Sequence, residues 1–256
     1  MSFVNKLVAQ VLSLQMTLFQ DYARLEAQTD TQALHDIRIN LRRLRSLLRP
    51  LRKIAPVSEL SQAAAALSRI TTPIRDLEVL VDELQSRGCA SQAATRNTQL
   101  MQSYQNVLQG NAFASLISQL DAWPAVFRAT NSAGEFKHIK KRIARHLKKH
   151  IEHLRKALQD PQFDRHQLRL MVKHVRYADE AYPRLSPLSA PVRAALKRVQ
   201  STLGDWHDNA EWCQSSHAEQ DLQVLIAHWR IAAHLALINA ELEIAKLAKL
   251  LDSRKH

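Results

Sequence analysis

The sequence predicts an all-α protein. Only 4 Gly and 8 Pro occur among its 256 residues, below the usual shares of about 7% and 5%. The strong helix formers Ala, Leu, Gln, Lys and Arg are abundant, whereas alternating β-branched runs are scarce. Apolar residues such as Ile37, Leu41, Leu44, Leu48 and Leu51 also recur at helical spacing. Helix is therefore the only secondary structure that the pattern requires.

Turn-forming residues divide this helical pattern into segments. In the first half, Thr72-Pro73 is typical of a helix start, and the helices are predicted at 3–28, 32–49, 57–70, 73–86, 91–109 and 112–120. Trp123-Pro124 and residues 131–134 are predicted to join the halves. In the second half, Gly204-Asp205 is interpreted as a further break, and the helices are predicted at 136–158, 164–182, 190–203, 205–215 and 219–251.

Two segments 131 residues apart carry the same row of charge. In each, a histidine is followed by cations at +3, +7 and +10, positions that share one face of a helix. The first basic stripe is His35, Arg38, Arg42, Arg45 and Arg49, and the second basic stripe is His166, Arg169, Lys173 and Arg176. Asp76 lies 41 residues after His35, and Asp208 lies 42 after His166. This repeat predicts one domain, residues 1–256, with halves of about 1–130 and 131–256.

A third basic element opens the second half. Residues 137–156 contain nine Lys or Arg and one Glu, and Lys137, Lys141, Arg145 and Lys148 are predicted to share a helix face. The net charge is +8 here, +6 over residues 35–53 and +4 over residues 165–176, against +12 for the whole chain. Everything else is therefore acidic on balance. Charge concentrated in this way predicts a polyanionic partner.

Two kinds of polyanion agree with this pattern. Proteins that hold single strands interleave aromatics with cations, but aromatics are 5% of this chain and only Tyr177 adjoins a basic stripe. Base stacking is therefore disfavoured. Duplex nucleic acid bound through its phosphates remains an alternative. Rows of guanidinium groups suit chains of phosphate equally well, because they bind phosphate oxygens bidentately.

The stripes carry a family resemblance. Together with Ile-Arg-Asp-Leu-Glu-Val-Leu at 74–80 and Leu-Gly-Asp-Trp-His-Asp at 203–208, they resemble the CHAD family, the histidine α-helical domain, over essentially the whole chain. The resemblance implies two pseudo-symmetric four-helix-bundle halves with a central basic groove or pore. It also implies binding of inorganic polyphosphate without turnover.

The expected polyphosphate-binding residues come from two sources. The resemblance implies both stripes apart from Arg49, and the shared helix faces add Arg49, Lys137, Lys141, Arg145 and Lys148. Family members are often fused to a triphosphate-tunnel catalytic domain, whose Glu-x-Glu-x-Lys signature is missing from this sequence. We therefore expect no catalytic residue. His207 stands at the position aligned with Arg75, which argues against a symmetric role for that cation.

A metal-dependent phosphohydrolase is a less favoured alternative. His35-Asp36 and His207-Asp208 resemble the metal-binding pair of HD-type phosphohydrolases, but dipeptides are weak signals and the surrounding arginines would repel a divalent cation. We expect no metal and no cofactor. Asp76 and Asp208 are predicted in first helical turns, where a carboxylate favours the helix dipole.

Cysteines and hydropathy indicate the compartment. Cys89 and Cys213 form no CxxC and occupy unmatched places in the halves, so neither a disulfide framework nor a zinc site is predicted. Polar residues interrupt the apolar stretch from Val8 to Phe19, and no run approaches a membrane span. We expect no membrane partner and a cytoplasmic protein, which the resemblance would place on polyphosphate granules.

Overall fold

The computed structural model describes residues 2–28, 30–134, 136–216 and 219–252. It is 86% helix, with no strand among the described residues, so the all-α prediction is confirmed. The chain divides into two compact units, unit 1 at Met1–Ile139 and unit 2 at Lys140–His256. The boundary between the two units lies a few residues beyond the predicted joint. The pseudo-symmetry of the halves and the central groove stay predictions.

Unit 1 contains five α-helices among the described residues, one more than a four-helix bundle. Their bounds are α1 Phe3–Glu26, α2 Ala33–Leu48, α3 Ala55–Ser86, α4 Ala90–Gln109 and α5 Asn111–Ser132, with a 3₁₀ turn at Arg49–Leu51. α1 begins where the Ser2 hydroxyl accepts a hydrogen bond from the Asn5 N–H at 3.1 Å. α2 packs between α1 and α3, and α3 also packs against α4 and α5. α3 is thus the common neighbour of the helices around it.

Unit 2 contains the second basic stripe. Its helices are α6 Ile139–Leu158, α7 Arg165–Ala181, α8 Ala190–Ser215 and α9 Ile226–Asp252, with a 3₁₀ segment at Gln220–Leu225. α7 begins at Asp164, whose carboxylate accepts from the Gln167 N–H at 2.7 Å. α8 packs against α7 and α9 around buried Val172, Val199 and Leu203. No helix in the described part of the chain is long and apolar enough to cross a membrane.

Three predicted helix breaks are wrong. α3 continues through Pro73, α5 through Pro124 and α8 through Gly204. A proline inside a helix costs roughly 3 kcal/mol because it removes one N–H and crowds the preceding turn. Burial of flanking side chains outweighs this cost, since fully burying one large apolar side chain contributes about 1.5–3 kcal/mol. Ile74 beside Pro73 and Leu203 beside Gly204 are both buried.

Because these helices are continuous, Asp76 and Asp208 do not lie near helix starts. Asp76 lies in the interior of α3 and Asp208 in the interior of α8, so the prediction that they occupy first helical turns is wrong. The helix dipole acts only within the first and last turns. Any role of these carboxylates therefore depends on their neighbours.

The uninterrupted α3 makes Pro73 a stability test. We expect Pro73→Ala to raise the free energy of unfolding by about 1–3 kcal/mol, because alanine restores the missing backbone N–H and is the better helix former. Urea unfolding followed by circular dichroism measures the change. Pro56→Ala is the matched control, since Pro56 occupies the first turn of the same helix, where proline is tolerated. A Pro73→Ala protein no more stable than the parent would contradict this expectation.

Candidate functional site

α2 keeps its apolar and cationic sides apart. Ile37, Leu41, Leu44 and Leu48 are each at most 1% exposed, which confirms the predicted packing side. The cations of the first basic stripe are less buried and follow the boundary with α3 and the 3₁₀ turn. The face of α2 that packs into the core and the face that carries the cations are therefore different.

Arg38 is anchored across the boundary between α2 and α3. Its Nη1 donates to Thr72 Oγ1 at 3.0 Å and to Thr71 Oγ1 at 3.3 Å. Burial lowers the pKa of Arg38, opposed by the charges of Asp76 and Glu78. Hydroxyl partners orient the guanidinium without neutralising it. Asp76 thus acts electrostatically on a member of the first basic stripe.

The far end of the first basic stripe is a cluster of like charges. Arg45 is exposed overall, yet partial desolvation lowers the pKa of its guanidinium, and repulsion from Arg69 lowers it further. Burial lowers the pKa of Arg49, and the charges of Arg52 and Arg45 add to this effect. Neither Arg45 nor Arg49 forms an ion pair with a carboxylate of the described residues. A bound anion would relieve this repulsion.

Arg75 stands at the head of the first basic stripe, where sequence reasoning did not place a site residue. Burial lowers the pKa of His35, and the Arg75 charge is the next largest cause. Arg75 Nη1 pairs with Glu78 Oε2 at 2.7 Å, and the Tyr104 hydroxyl donates to Glu78 Oε1 at 2.6 Å. Two sequence signals were available, the glutamate three residues after Arg75 and the repeated distance from His35.

The second basic stripe meets α8 in unit 2. The rings of His166 and His207 are 5.1 Å apart between centroids, so this position pairs two imidazoles where unit 1 has His35 and Arg75. Arg176 Nη2 forms an ion pair with Glu180 at 2.8 Å. Tyr177 is 8% exposed, and its hydroxyl accepts from Gln200 Nε2 at 3.2 Å. Its ring is therefore unavailable for stacking on a base.

The third basic element has a different start from the one predicted. Lys141, Arg145 and Lys148 lie exposed on α6, as predicted. Lys137 does not share their helix face, because α6 begins at Ile139 and His138 adopts a left-handed φ of 63°. The prediction that Lys137 belongs to this face is wrong, since a left-handed residue interrupts the helical rotation.

The first His-Asp dipeptide serves an ion-pair network. Arg24 pairs with Asp36 at 2.8 Å, Asp30 at 2.9 Å and Asp21 at 3.0 Å, and Asn40 Nδ2 donates to Asp21 at 2.7 Å. Asp36 thereby ties α2 to α1. Within the described ranges, no group of three or more His, Cys, Asp or Glu side chains is placed to hold a metal ion.

Comparison with known proteins gives two positive findings. The model of the CHAD domain family matches residues 10–217. The fold is similar to the crystal structure of the CHAD domain from the plant Ricinus communis, with a TM-score of 0.72, 18% sequence identity, and coverage of 99% of this chain and 93% of that chain. At this identity the likeness shows the fold. No curated protein matches the sequence.

The surroundings of His35 lead to a pH prediction. We expect His35 in the unliganded protein to titrate below its ordinary pKa of 6.5, and Arg75→Gln to shift its titration upward by removing a neighbouring positive charge. A lowered pKa favours the neutral imidazole in the folded state, so this contribution to stability is present above 6.5 and is lost as the pH falls. NMR titration of the imidazole ring protons measures both values.

Arg87→Gln is the control for this titration. Arg87 caps the C-terminal end of the helix that carries Arg75, and it pairs with Glu83. Its replacement removes the same charge and should leave the His35 titration unchanged. Equal titration curves in Arg75→Gln and the parent protein would show that the Arg75 charge does not act on His35.

Proposed function

The chain belongs to the CHAD domain family, and on this premise we propose that its basic stripes bind inorganic polyphosphate without turning it over. Binding would also carry the protein to polyphosphate granules in the cytoplasm. The observation that carries the proposal is the cluster of like charges at the end of the first basic stripe. Besides burial, the charge of Arg69 lowers the pKa of Arg45, and the charges of Arg52 and Arg45 lower the pKa of Arg49. An anion bound here would be favoured because it removes this repulsion.

The shape of the first basic stripe favours a linear polyanion. From His35 to Arg45 the stripe extends about 15 Å along α2, at about 1.5 Å per residue, and Arg49 follows in the 3₁₀ turn. A single orthophosphate can reach only one or two of these cations at a time. A chain of phosphates can contact them in succession, with each guanidinium offering paired N–H donors to phosphate oxygens. The proposed ligand is therefore a polymer.

The side chains around the second basic stripe support polyphosphate over single-stranded nucleic acid. Tyr177 directly follows Arg176 of that stripe in the sequence, and it is buried and hydrogen-bonded to Gln200. Stacking on aromatic side chains is worth about 1–3 kcal/mol per base to proteins that hold single strands. Polyphosphate has no bases and does not need such contacts. Duplex DNA also binds through phosphate alone, so it is the competitor that the experiment must include.

A titration with three ligands tests the proposal. We expect long-chain polyphosphate to bind more tightly than duplex DNA of equal charge, and orthophosphate to bind weakly. Polyphosphate affinity should fall steeply between about 50 and about 200 mM salt, because bound cations displace condensed counterions. Calorimetry at both salt concentrations measures this, and electrophoresis of recovered polyphosphate should show unshortened chains. DNA binding as tight as polyphosphate binding, or shortened polyphosphate, would overturn the proposal.

Two variants that lose equal charge distinguish binding at a defined site from attraction by the net charge of the protein. We expect the quadruple variant Arg42→Gln, Arg45→Gln, Lys173→Gln and Arg176→Gln to weaken polyphosphate binding by at least about a hundredfold, since each lost charged hydrogen bond costs about 1.5–3 kcal/mol. The control removes the same charge at four exposed cations on other faces: Arg128, Arg184, Lys197 and Lys249. Equal weakening in both variants would show that binding follows net charge.

A further inference from the structure

A hydrogen-bonded chain of three residues links α4 to the head of the first basic stripe. The Tyr104 hydroxyl donates to Glu78 Oε1 at 2.6 Å, and Arg75 Nη1 donates to Glu78 Oε2 at 2.7 Å. Glu78 is 5% exposed and Tyr104 is 7% exposed. Each carboxylate oxygen of Glu78 thus has its own donor, which holds this buried group in one orientation.

The Tyr104 phenol stays protonated and can therefore donate its hydrogen bond to Glu78. Burial raises the pKa of its phenol, and the hydrogen bond to Glu78 raises it further. The phenol therefore stays protonated at physiological pH. Because a buried carboxylate is destabilised when it loses a hydrogen-bond partner, Glu78 keeps both of its hydrogen bonds. Arg75 is consequently held by one guanidinium nitrogen.

The Arg75 guanidinium keeps N–H donors that Glu78 does not use. An arginine has five N–H donors, and Arg75 uses those of Nη1 for Glu78, whereas its other nitrogens bond to no residue that the structure describes. The side chain of Arg75 keeps 24% of its surface exposed. Arg75 lies one helical turn after Thr71 and Thr72, the α3 residues that bond to Arg38. Arg75 is therefore on the side of α3 that meets the first members of the stripe, and its charge acts on both His35 and Arg38.

We propose that Arg75 contacts phosphate as a member of the unit 1 site, and that Glu78 and Tyr104 are positioning residues that hold its guanidinium at the head of the first basic stripe. This inference rests on the proposed polyphosphate binding. It assigns the arrangement to unit 1, because the aligned position in unit 2 is His207 and the residue three further on is Ala210 in place of Glu78. The two halves therefore carry different groups at this aligned position.

The test compares Arg75 inside α3 with Arg87 at the C-cap of α3, by calorimetric titration with long-chain polyphosphate. We expect Arg75→Gln to weaken binding about tenfold, as for loss of one charged hydrogen bond, and to reduce the slope of affinity against salt by about one. Arg87→Gln removes the same charge at the C-cap of α3 and should change affinity by less than about twofold, because exposed cations away from the contact act weakly.

Tyr104 is tested by whether its effect depends on Arg75. Tyr104→Phe removes only the hydroxyl, so we expect binding about threefold weaker, from a loosened hydrogen bond of about the usual net value, with an unchanged salt slope. In the Arg75→Gln background, Tyr104→Phe should have no further effect, because the residue acts through Arg75. A merely structural tyrosine would weaken binding equally in both backgrounds.

Polyphosphate binding by the parent protein distinguishes failure of this inference from failure of the proposed function. If the parent binds polyphosphate and Arg75→Gln matches Arg87→Gln, Arg75 makes no phosphate contact and only this inference is overturned. If the effect of Tyr104→Phe persists without Arg75, the positioning role is overturned. A parent protein that does not bind polyphosphate would overturn the proposed function, and this inference with it.

Discussion

Repulsion between guanidinium groups fixed along one helix is the constraint on which unit 1 depends. Two unit charges near a protein surface repel by a few kcal/mol at most, and salt weakens this further. On its other side, α2 buries Ile37, Leu41, Leu44 and Leu48, each contributing about 1.5–3 kcal/mol. Burial therefore outweighs the repulsion, and the first basic stripe can be held in place before any anion arrives.

The sequence predicted those features that one helix contains by itself. The apolar and cationic faces of α2 follow from the same 3.6-residue period, so they could be read together. Helix ends were less predictable, because the helix-breaking residues Pro73 and Gly204 destabilise a helix by only a few kcal/mol. The packing of α3 and α8 against their neighbours decides the outcome there. Lys137 was misplaced because nothing in the residue type of His138 signals a left-handed backbone.

Contacts between helices were beyond sequence reasoning. Tyr104 and Glu78 are 26 residues apart, and Arg38 and Thr72 are 34 apart. No periodicity connects such pairs, since each depends on how two helices pack. The family could nevertheless be recognised, because its motifs lie within single helices. The structure adds that two threonine hydroxyls orient Arg38 without neutralising it, whereas the buried carboxylate of Glu78 holds Arg75.

The unbroken course of α3 has an evolutionary consequence. Thr71, Thr72, Arg75 and Glu78 occupy about two turns of one continuous helix; the two threonines bond to Arg38 of α2, and Glu78 bonds to Tyr104 of α4. One residue inserted between Thr72 and Arg75 would turn everything after it by about 100°. The contacts with α2 and with α4 could then no longer form at the same time. This segment can tolerate single substitutions, but it cannot tolerate an insertion or a deletion. A homologue with a gap here would need another way to build the site.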